Sequence, residues 1–192
     1  MSTNNTSSAK KQKNQQQIET LVSLPEGVSS KFEGEKLTIK GPLGKVEQDF
    51  SKIPVELKLE GNTVKILSAG ARRKNRSILN TSASLIRNAA HGVTKGYQYK
   101  LKVIFAHFPV SVKVQGKNVL VENFYGERSP RVAEIVGDTK VDVQGEDLIV
   151  TGVSMQDVGQ TAANLEQATT VRRKDQRVFL DGVYVYERTR KQ

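Results

Sequence analysis

Cysteine and tryptophan are absent from this 192-residue sequence, and histidine occurs only twice. A chain without cysteine has no disulfide, no thiol nucleophile and no thiolate zinc site, which fits a reducing compartment. The two histidines, His91 and His107, have no serine or carboxylate at a catalytic spacing. Asp142 and Asp147 flank a glycine turn, where acidic residues are ordinary turn formers. The sequence therefore predicts no enzyme activity, no bound metal and no cofactor.

Long apolar runs are also missing. No stretch approaches the length of a membrane span, and neither predicted helix combines a strongly apolar face with a basic one. Residues 1–17 lack the apolar core of a secretory signal, so we expect a cytoplasmic protein that binds no membrane. The same residues are almost entirely polar and cannot offset the entropy of ordering, which predicts a disordered N-terminal extension.

Negative charge is in short supply. The chain has 30 lysines and arginines against 20 acidic residues, for a net charge of +10 and an isoelectric point near 9.8. Such an excess favours a polyanionic partner, because basic side chains that contact phosphates release condensed counterions. Nucleic acid is the leading candidate.

A pattern of glycines and alternating apolar residues occurs twice. Two pairs of glycines are separated by 82 residues and a third pair by 84. The pairs are Gly34 with Gly116, Gly44 with Gly126, and Gly61 with Gly145. This register indicates a duplicated domain, with each copy near the size of a small self-sufficient fold.

Each copy is predicted to combine short hairpin strands with one helix. Alternating apolar residues predict strands at 28–32, 36–40, 46–50, 55–59, 63–67 and 97–105, and at 110–114, 119–122, 131–136, 141–144, 147–151 and 183–187. Helical spacing predicts helices at 72–91, stopped by Gly92, and at 155–170. The fold class is therefore α+β, with domains at 18–103 and 104–188 and a basic tail at 189–192.

The first basic cluster opens the first predicted helix. It consists of Arg72, Arg73, Lys74 and Arg76. Cations are unusual there, because the N-terminus of a helix is already the positive end of its dipole. They are tolerable if a phosphate binds among them and the free amides. A solvated basic turn is the alternative.

The second basic cluster is larger and is mixed with aromatic residues. Its cations are Arg172, Arg173, Lys174, Arg177, Arg188, Arg190 and Lys191. Phe179, Tyr184 and Tyr186 lie between them. A basic loop can follow a phosphate backbone while aromatic rings stack on unpaired bases, which favours RNA. The alternative places Phe179 and one tyrosine in the core and leaves the charges solvated.

Three stretches resemble a known family. They are GVTKGYQYKLK at 92–102, AHFP at 106–109 and QATTVRRKDQRVFLDGVY at 167–184. On these residues the chain resembles the sixth large-subunit ribosomal protein in its archaeal and eukaryotic form, over about residues 18–188. Bacterial members carry a Lys/Gly-rich loop where this chain has Arg-Arg-Lys-Asp-Gln-Arg.

The resemblance implies a tandem duplication in which each domain packs small sheets and one helix around a single core. It also implies binding to large-subunit ribosomal RNA, mainly through the second domain, near the sarcin-ricin loop and the stalk base where translational GTPases dock. Neighbouring ribosomal proteins would be further partners. The implied RNA-binding residues are Arg172, Arg173, Lys174, Arg177 and Gly182, with Arg188, Arg190 and Lys191 beyond them and the first cluster secondary. His107 and Pro109 would be structural.

Two other functions stay open at this point. A non-ribosomal RNA-binding module would need base-reading specificity, and the sequence lacks the aromatic strand signature of an RRM and the GXXG loop of a KH domain. A small hydrolase would need a catalytic constellation, and none is recognisable in the sequence.

Overall fold

The chain folds into thirteen strands and two α-helices within the part that the computed structural model describes, residues 18–68, 70, 72–172, 174–175 and 177–190. The strands of the first half are β1 Ile18–Ser23, β2 Ser29–Glu33, β3 Lys36–Gly41, β4 Gly44–Asp49, β5 Glu56–Glu60 and β6 Thr63–Ser68, followed by helix α1 Arg73–Thr94. The later elements are β7 Tyr97–Ile104, β8 Ser111–Gln115, β9 Asn118–Glu122, β10 Arg131–Glu134, β11 Lys140–Gln144, β12 Asp147–Gly152, α2 Met155–Ala168 and β13 Gly182–Arg190. The expected disordered extension, 1–17, lies outside the described residues.

Two similar α+β units follow each other along the chain. In the first, sheets with strand orders β1-β6-β5 and β2-β3-β4 pack with α1 around one core. In the second, sheets with orders β11-β12-β7-β13 and β10-β9-β8 pack with α2 around another. Every strand pair is antiparallel. The predicted α+β duplication is confirmed.

Equivalent glycines occupy equivalent turns. Gly34, between β2 and β3, has a φ angle of 65°, and Gly116, between β8 and β9, has a φ angle of 60°. These angles lie in the left-handed region that glycine enters without a steric penalty. The pairing of Gly44 with Gly126 holds only in the sequence: Gly44 starts β4 directly, whereas Gly126 ends a 3-10 turn before β10.

The boundary between the units differs from the expected one. Strand β7 was expected to close the first domain, but it pairs with β12 and β13. Its inward side chains, Tyr97, Tyr99, Leu101 and Val103, belong to the second core. The change from one core to the other therefore falls before Tyr97 rather than at 103/104, and β1 supplies the corresponding strand of the first unit. The expected tail also starts later, since β13 runs on to Arg190.

Helix α1 continues through the glycine that was expected to stop it. The helix ends at Thr94, and Gly92 is buried within it. A methyl group on Gly92 would overlap the carbonyl oxygen of Val153, just before α2. Gly92 therefore serves the close contact between the two units, and the prediction that it ends the helix was wrong.

No helix in the described part of the chain is long and apolar enough to cross a membrane.

Candidate nucleic-acid interface

The basic loop between α2 and β13 is closed at its base by buried side chains. Thr169 is 2 % exposed, and its hydroxyl accepts a hydrogen bond from the Val183 amide at 2.9 Å. The same hydroxyl lies 3.1 Å from the Leu165 carbonyl, to which it donates within α2. This residue ties the end of the helix to the start of the strand, so both ends of the loop are fixed.

Asp181 fixes the loop from the other side. Its carboxylate is 1 % exposed and accepts hydrogen bonds from the amides of Ala106 and His107, at 3.0 and 3.3 Å. The Nδ1 atom of His107 lies 3.2 Å from the same carboxylate. The AHFP segment is thereby held against β13, as the structural role expected for His107 requires.

The outer part of the loop is organised by a second aspartate. The Asp175 side chain accepts a hydrogen bond from the Arg177 amide at 3.0 Å, and its carbonyl accepts from Val178 and Phe179. Such a turn fixes the direction in which Arg177 leaves the backbone. The hydrogen bonds of Asp175 thus hold the backbone turn from which the Arg177 side chain extends.

The cations of this loop are exposed. Arg172, Lys174 and Arg177 all have exposed side chains, and within the described residues none forms a salt bridge. Arg173 lies outside the described residues. Three positive groups without a protein counterion on a fixed loop are the arrangement that a phosphate backbone would neutralise.

An aromatic cluster lies beside these cations. Phe179 is half-buried and stacks on the His107 ring, with centroids 5.0 Å apart and an interplanar angle of 24°. The Nζ atom of Lys174 lies 5.3 Å from the centre of the Phe179 ring. Tyr184 and Tyr186 are 45 % and 55 % exposed, so neither tyrosine occupies the core.

Strand β13 carries two further arginines, and a bulge determines the face of the sheet on which they lie. A bulge interrupts its pairing with β7 between Val185 and Glu187, where the Val185 amide donates to Glu166 at 2.9 Å. Beyond the bulge, Arg188 lies opposite the inward-facing Tyr99, with its guanidinium 5.9 Å from the ring centre. Arg190 follows opposite Tyr97. Both arginines are exposed but lie on the helix side of the sheet, and Lys191 is outside the described residues.

On the outer side of this sheet, Lys100 and Glu187 form a salt bridge. Glu187 lies 2.8 Å from Lys100, which is the main cause lowering the pKa of Glu187, and Thr189 adds a further hydrogen bond. The same contact raises the pKa of Lys100. This lysine is thus already neutralised by the protein, unlike the loop cations.

Gly182 has a packing role. It is buried at the start of β13, and a methyl group there would lie 3.1 Å from atoms of the Tyr184 ring. The ring of Tyr184 therefore rests on Gly182. The expectation that Gly182 itself contacts RNA does not fit its burial, and its effect on the surface passes through Tyr184.

Arg131 is a residue that the sequence reasoning missed. Its guanidinium binds both oxygens of Glu127, at 2.7 and 2.9 Å, and donates to the carbonyls of Ala168 and Thr170 at 3.0 Å. It also lies 4.4 Å from the centre of the Phe124 ring. Arg131 therefore holds the carbonyl end of α2 where the basic loop begins. The four-residue spacing from Glu127 was the only signal in the sequence.

The first basic cluster consists of exposed cations at the start of helix α1. Arg72, Arg73, Lys74 and Arg76 are all exposed at the start of α1. The helix has no side-chain cap and no acidic residue in its first turn. By contrast, the Ser154 hydroxyl accepts from the Asp157 amide at the start of α2. The positive end of α1 is therefore reinforced by cations rather than offset by acids.

The two histidines have different surroundings. Within the described residues, no group of three or more histidine and acidic side chains could hold a metal. Burial lowers the pKa of His91, and Arg190 and Lys95 lower it further, which favours the neutral ring. His107 contacts the buried carboxylate of Asp181 at the base of the loop.

Comparison with known proteins identifies the family. Residues 24–96 and 108–182 match the family described as Ribosomal protein L6. The chain belongs to the ribosomal protein L6 family.

It is 45 % identical over 176 residues to the "Large ribosomal subunit protein uL6" of Ignicoccus hospitalis, covering 89 % of this chain and 95 % of that protein. The protein of the same name from Desulfurococcus amylolyticus is 46 % identical over 170 residues, covering 87 % and 92 %. That from Methanosarcina mazei is 39 % identical over 172 residues, covering 90 % and 98 %.

The family match agrees with the duplication. The two matched segments fall one on each unit. The second ends at Gly182, so it includes the basic loop and the buried Asp181 that holds it. The unit carrying the candidate interface is thus part of the family fold.

Proposed function

We propose that this protein is a structural constituent of the large ribosomal subunit and binds large-subunit ribosomal RNA through the loop between α2 and β13. The observation that carries the proposal is the fixed loop with exposed Arg172, Lys174 and Arg177, which lack salt-bridge partners among the described residues. Arg173 and Lys191 are assigned to the same contact from the sequence. A chain of net charge +10 in this family supports a phosphate partner.

The site within the subunit is also a proposal. By the family resemblance, the contact lies near the sarcin-ricin loop and the stalk base, in the cytoplasm. The protein would touch neighbouring ribosomal proteins and support the region where translational GTPases dock, without a catalytic step of its own. Arg188 and Arg190 extend the contact from the helix side of β13, and the cluster Arg72, Arg73, Lys74 and Arg76 contributes less.

A salt titration tests the loop directly. Changing Arg172, Arg173, Lys174 and Arg177 together to alanine should weaken binding to an rRNA fragment containing the sarcin-ricin loop by tenfold or more. It should also flatten the dependence of log affinity on log salt, by about 0.7 to 0.9 for each phosphate that the variant no longer neutralises. The measurement is the dissociation constant across a range of KCl concentrations.

The control removes the same charge elsewhere. Lys31, Lys36, Lys40 and Lys58 are exposed on strands of the first unit, so their joint change to alanine also lowers the net charge by four. This variant should keep the affinity within about a factor of two or three and leave the salt slope nearly unchanged. Equal losses in the two variants, with both folded by circular dichroism, would show non-specific attraction and contradict the assignment.

A further inference from the structure

A cleft of about 690 Å³ opens beside the basic loop. One wall is formed by the end of α2 and the two residues after it, Thr169 and Thr170, and the other by the start of β13. The loop itself contributes Val171, Phe179 and Leu180. The cleft is therefore bounded by the same elements that Thr169 and Asp181 hold together.

The lining of the cleft is apolar but open to solvent. Leu180 is 57 % exposed, Tyr184 is 45 % exposed and Ile104 is 41 % exposed. Single exposed apolar residues are ordinary on protein surfaces, but a group of them around one concavity indicates a binding site. Something apolar is expected to cover these side chains in the assembled state.

The charged side chains around the cleft indicate which kind of ligand it can bind. Lys174 lies 5.3 Å from the Phe179 ring, and the adjacent loop carries Arg172 and Arg177. Glu166 also lines the cleft, but its carboxylate accepts the Val185 amide within the bulge. A suitable ligand therefore combines an apolar body with negative charge next to it.

We propose that this cleft receives one unpaired base of RNA, whose flanking phosphates lie on the loop cations. The Tyr184 side chain packs against Gly182 and is 45 % exposed, so part of it remains available to the base. Stacking on an aromatic ring is available to every base and adds to the contact with the phosphates. This inference rests on the proposed RNA-binding function and adds a preference for unpaired over fully paired RNA.

Two hairpins of equal length provide the test. One has a fully paired stem, and the other carries in its stem a single bulged 2-aminopurine, a fluorescent base whose emission falls when it stacks. Both are closed by the same structured tetraloop, so any contribution of the loop is common to the two. The full-length protein should bind the bulged hairpin about tenfold more tightly and quench its emission, because stacking of one base on an aromatic side chain is worth about that factor or more.

Two neighbouring tyrosines supply the variants. Tyr184→Ala should bring the ratio of the two affinities close to one, since it removes the stacking surface. Tyr186→Ala should keep the ratio, because this residue is 55 % exposed on the same strand but does not line the cleft. Leu180→Ala, in an exposed loop position, should reduce the ratio without affecting the fold.

The outcomes separate this inference from the function on which it rests. Equal, salt-dependent binding of both hairpins by the unchanged protein would overturn the base-binding cleft and leave RNA binding standing. A loss of the ratio in Tyr186→Ala as large as in Tyr184→Ala would also overturn it. Failure to bind either hairpin would contradict both the cleft and the proposed function.

Discussion

Asp181 fixes one end of the basic loop at the candidate interface. Its carboxylate is almost fully buried and accepts hydrogen bonds from two amides of the AHFP segment, so it joins the connection between β7 and β8 to the end of the basic loop. In the sequence Asp181 lies in a Leu-Asp-Gly triplet that reads as an ordinary turn. Its long-range partners, 74 and 75 residues away, could not be predicted from that pattern.

Replacing Asp181 should destabilise the protein. Asp181→Ala removes a buried carboxylate that accepts hydrogen bonds from the amides of Ala106 and His107, and we expect the free energy of unfolding to fall by about 2 to 3 kcal/mol. Asp175→Ala is the matched control in the same loop, because its exposed side chain accepts one local amide among the described residues. That change should cost less than about 1 kcal/mol. Urea titrations of both variants would check this, and equal costs would contradict the role given to Asp181.

Single residues of the interface were predictable to different degrees. The exposure of Arg172, Lys174 and Arg177 follows from their charge and spacing, and the structure agrees. The separation of Arg188 and Arg190 from Tyr184 was not predictable. It results from a bulge whose amide is held by Glu166, on a different element. A strict two-residue period would have placed Tyr184 and Arg188 on one face.

At the scale of elements, local periodicity located most strands and both helices. It could not show which sheet a strand joins, because the alternating pattern of β7 fits either core equally well. The end of α1 was predicted wrongly for a related reason. Glycine is a common C-terminal signal, but Gly92 is needed for the contact with Val153, which belongs to the other unit.

Gly92→Ala should therefore be destabilising despite the better helix propensity of alanine. At an exposed position within a helix, alanine stabilises the helix by about 1 kcal/mol relative to glycine. Here the added methyl group would overlap a backbone carbonyl, and we expect a net loss of about 2 to 3 kcal/mol in unfolding free energy. Ser84→Ala, at an exposed position of the same helix, should change it by less than about 0.5 kcal/mol. Thermal or urea unfolding would measure both, and a neutral Gly92→Ala would refute the contact between units.

At the scale of the whole molecule, the two units share a fold but differ in their surfaces. Both have the same turns at Gly34 and Gly116, yet only the second has β13 and the loop that precedes it. The duplication was predictable from the glycine register. The difference in role rests on the extra strand and on the buried contacts that fix its loop, which appear only in three dimensions.

By the proposal made above, the second unit carries most of the affinity for the large subunit. Large subunits depleted of this protein can be incubated with the unchanged protein, the four-alanine loop variant at 172, 173, 174 and 177, or the matching variant at 72, 73, 74 and 76, and sedimented across a KCl gradient. We predict one copy per subunit for the unchanged protein, near-equal retention of the first-unit variant, and release of the loop variant at clearly lower salt. Earlier release of the first-unit variant would reverse the two roles, and a failure of the unchanged protein to reach one copy per subunit would contradict the ribosomal assignment.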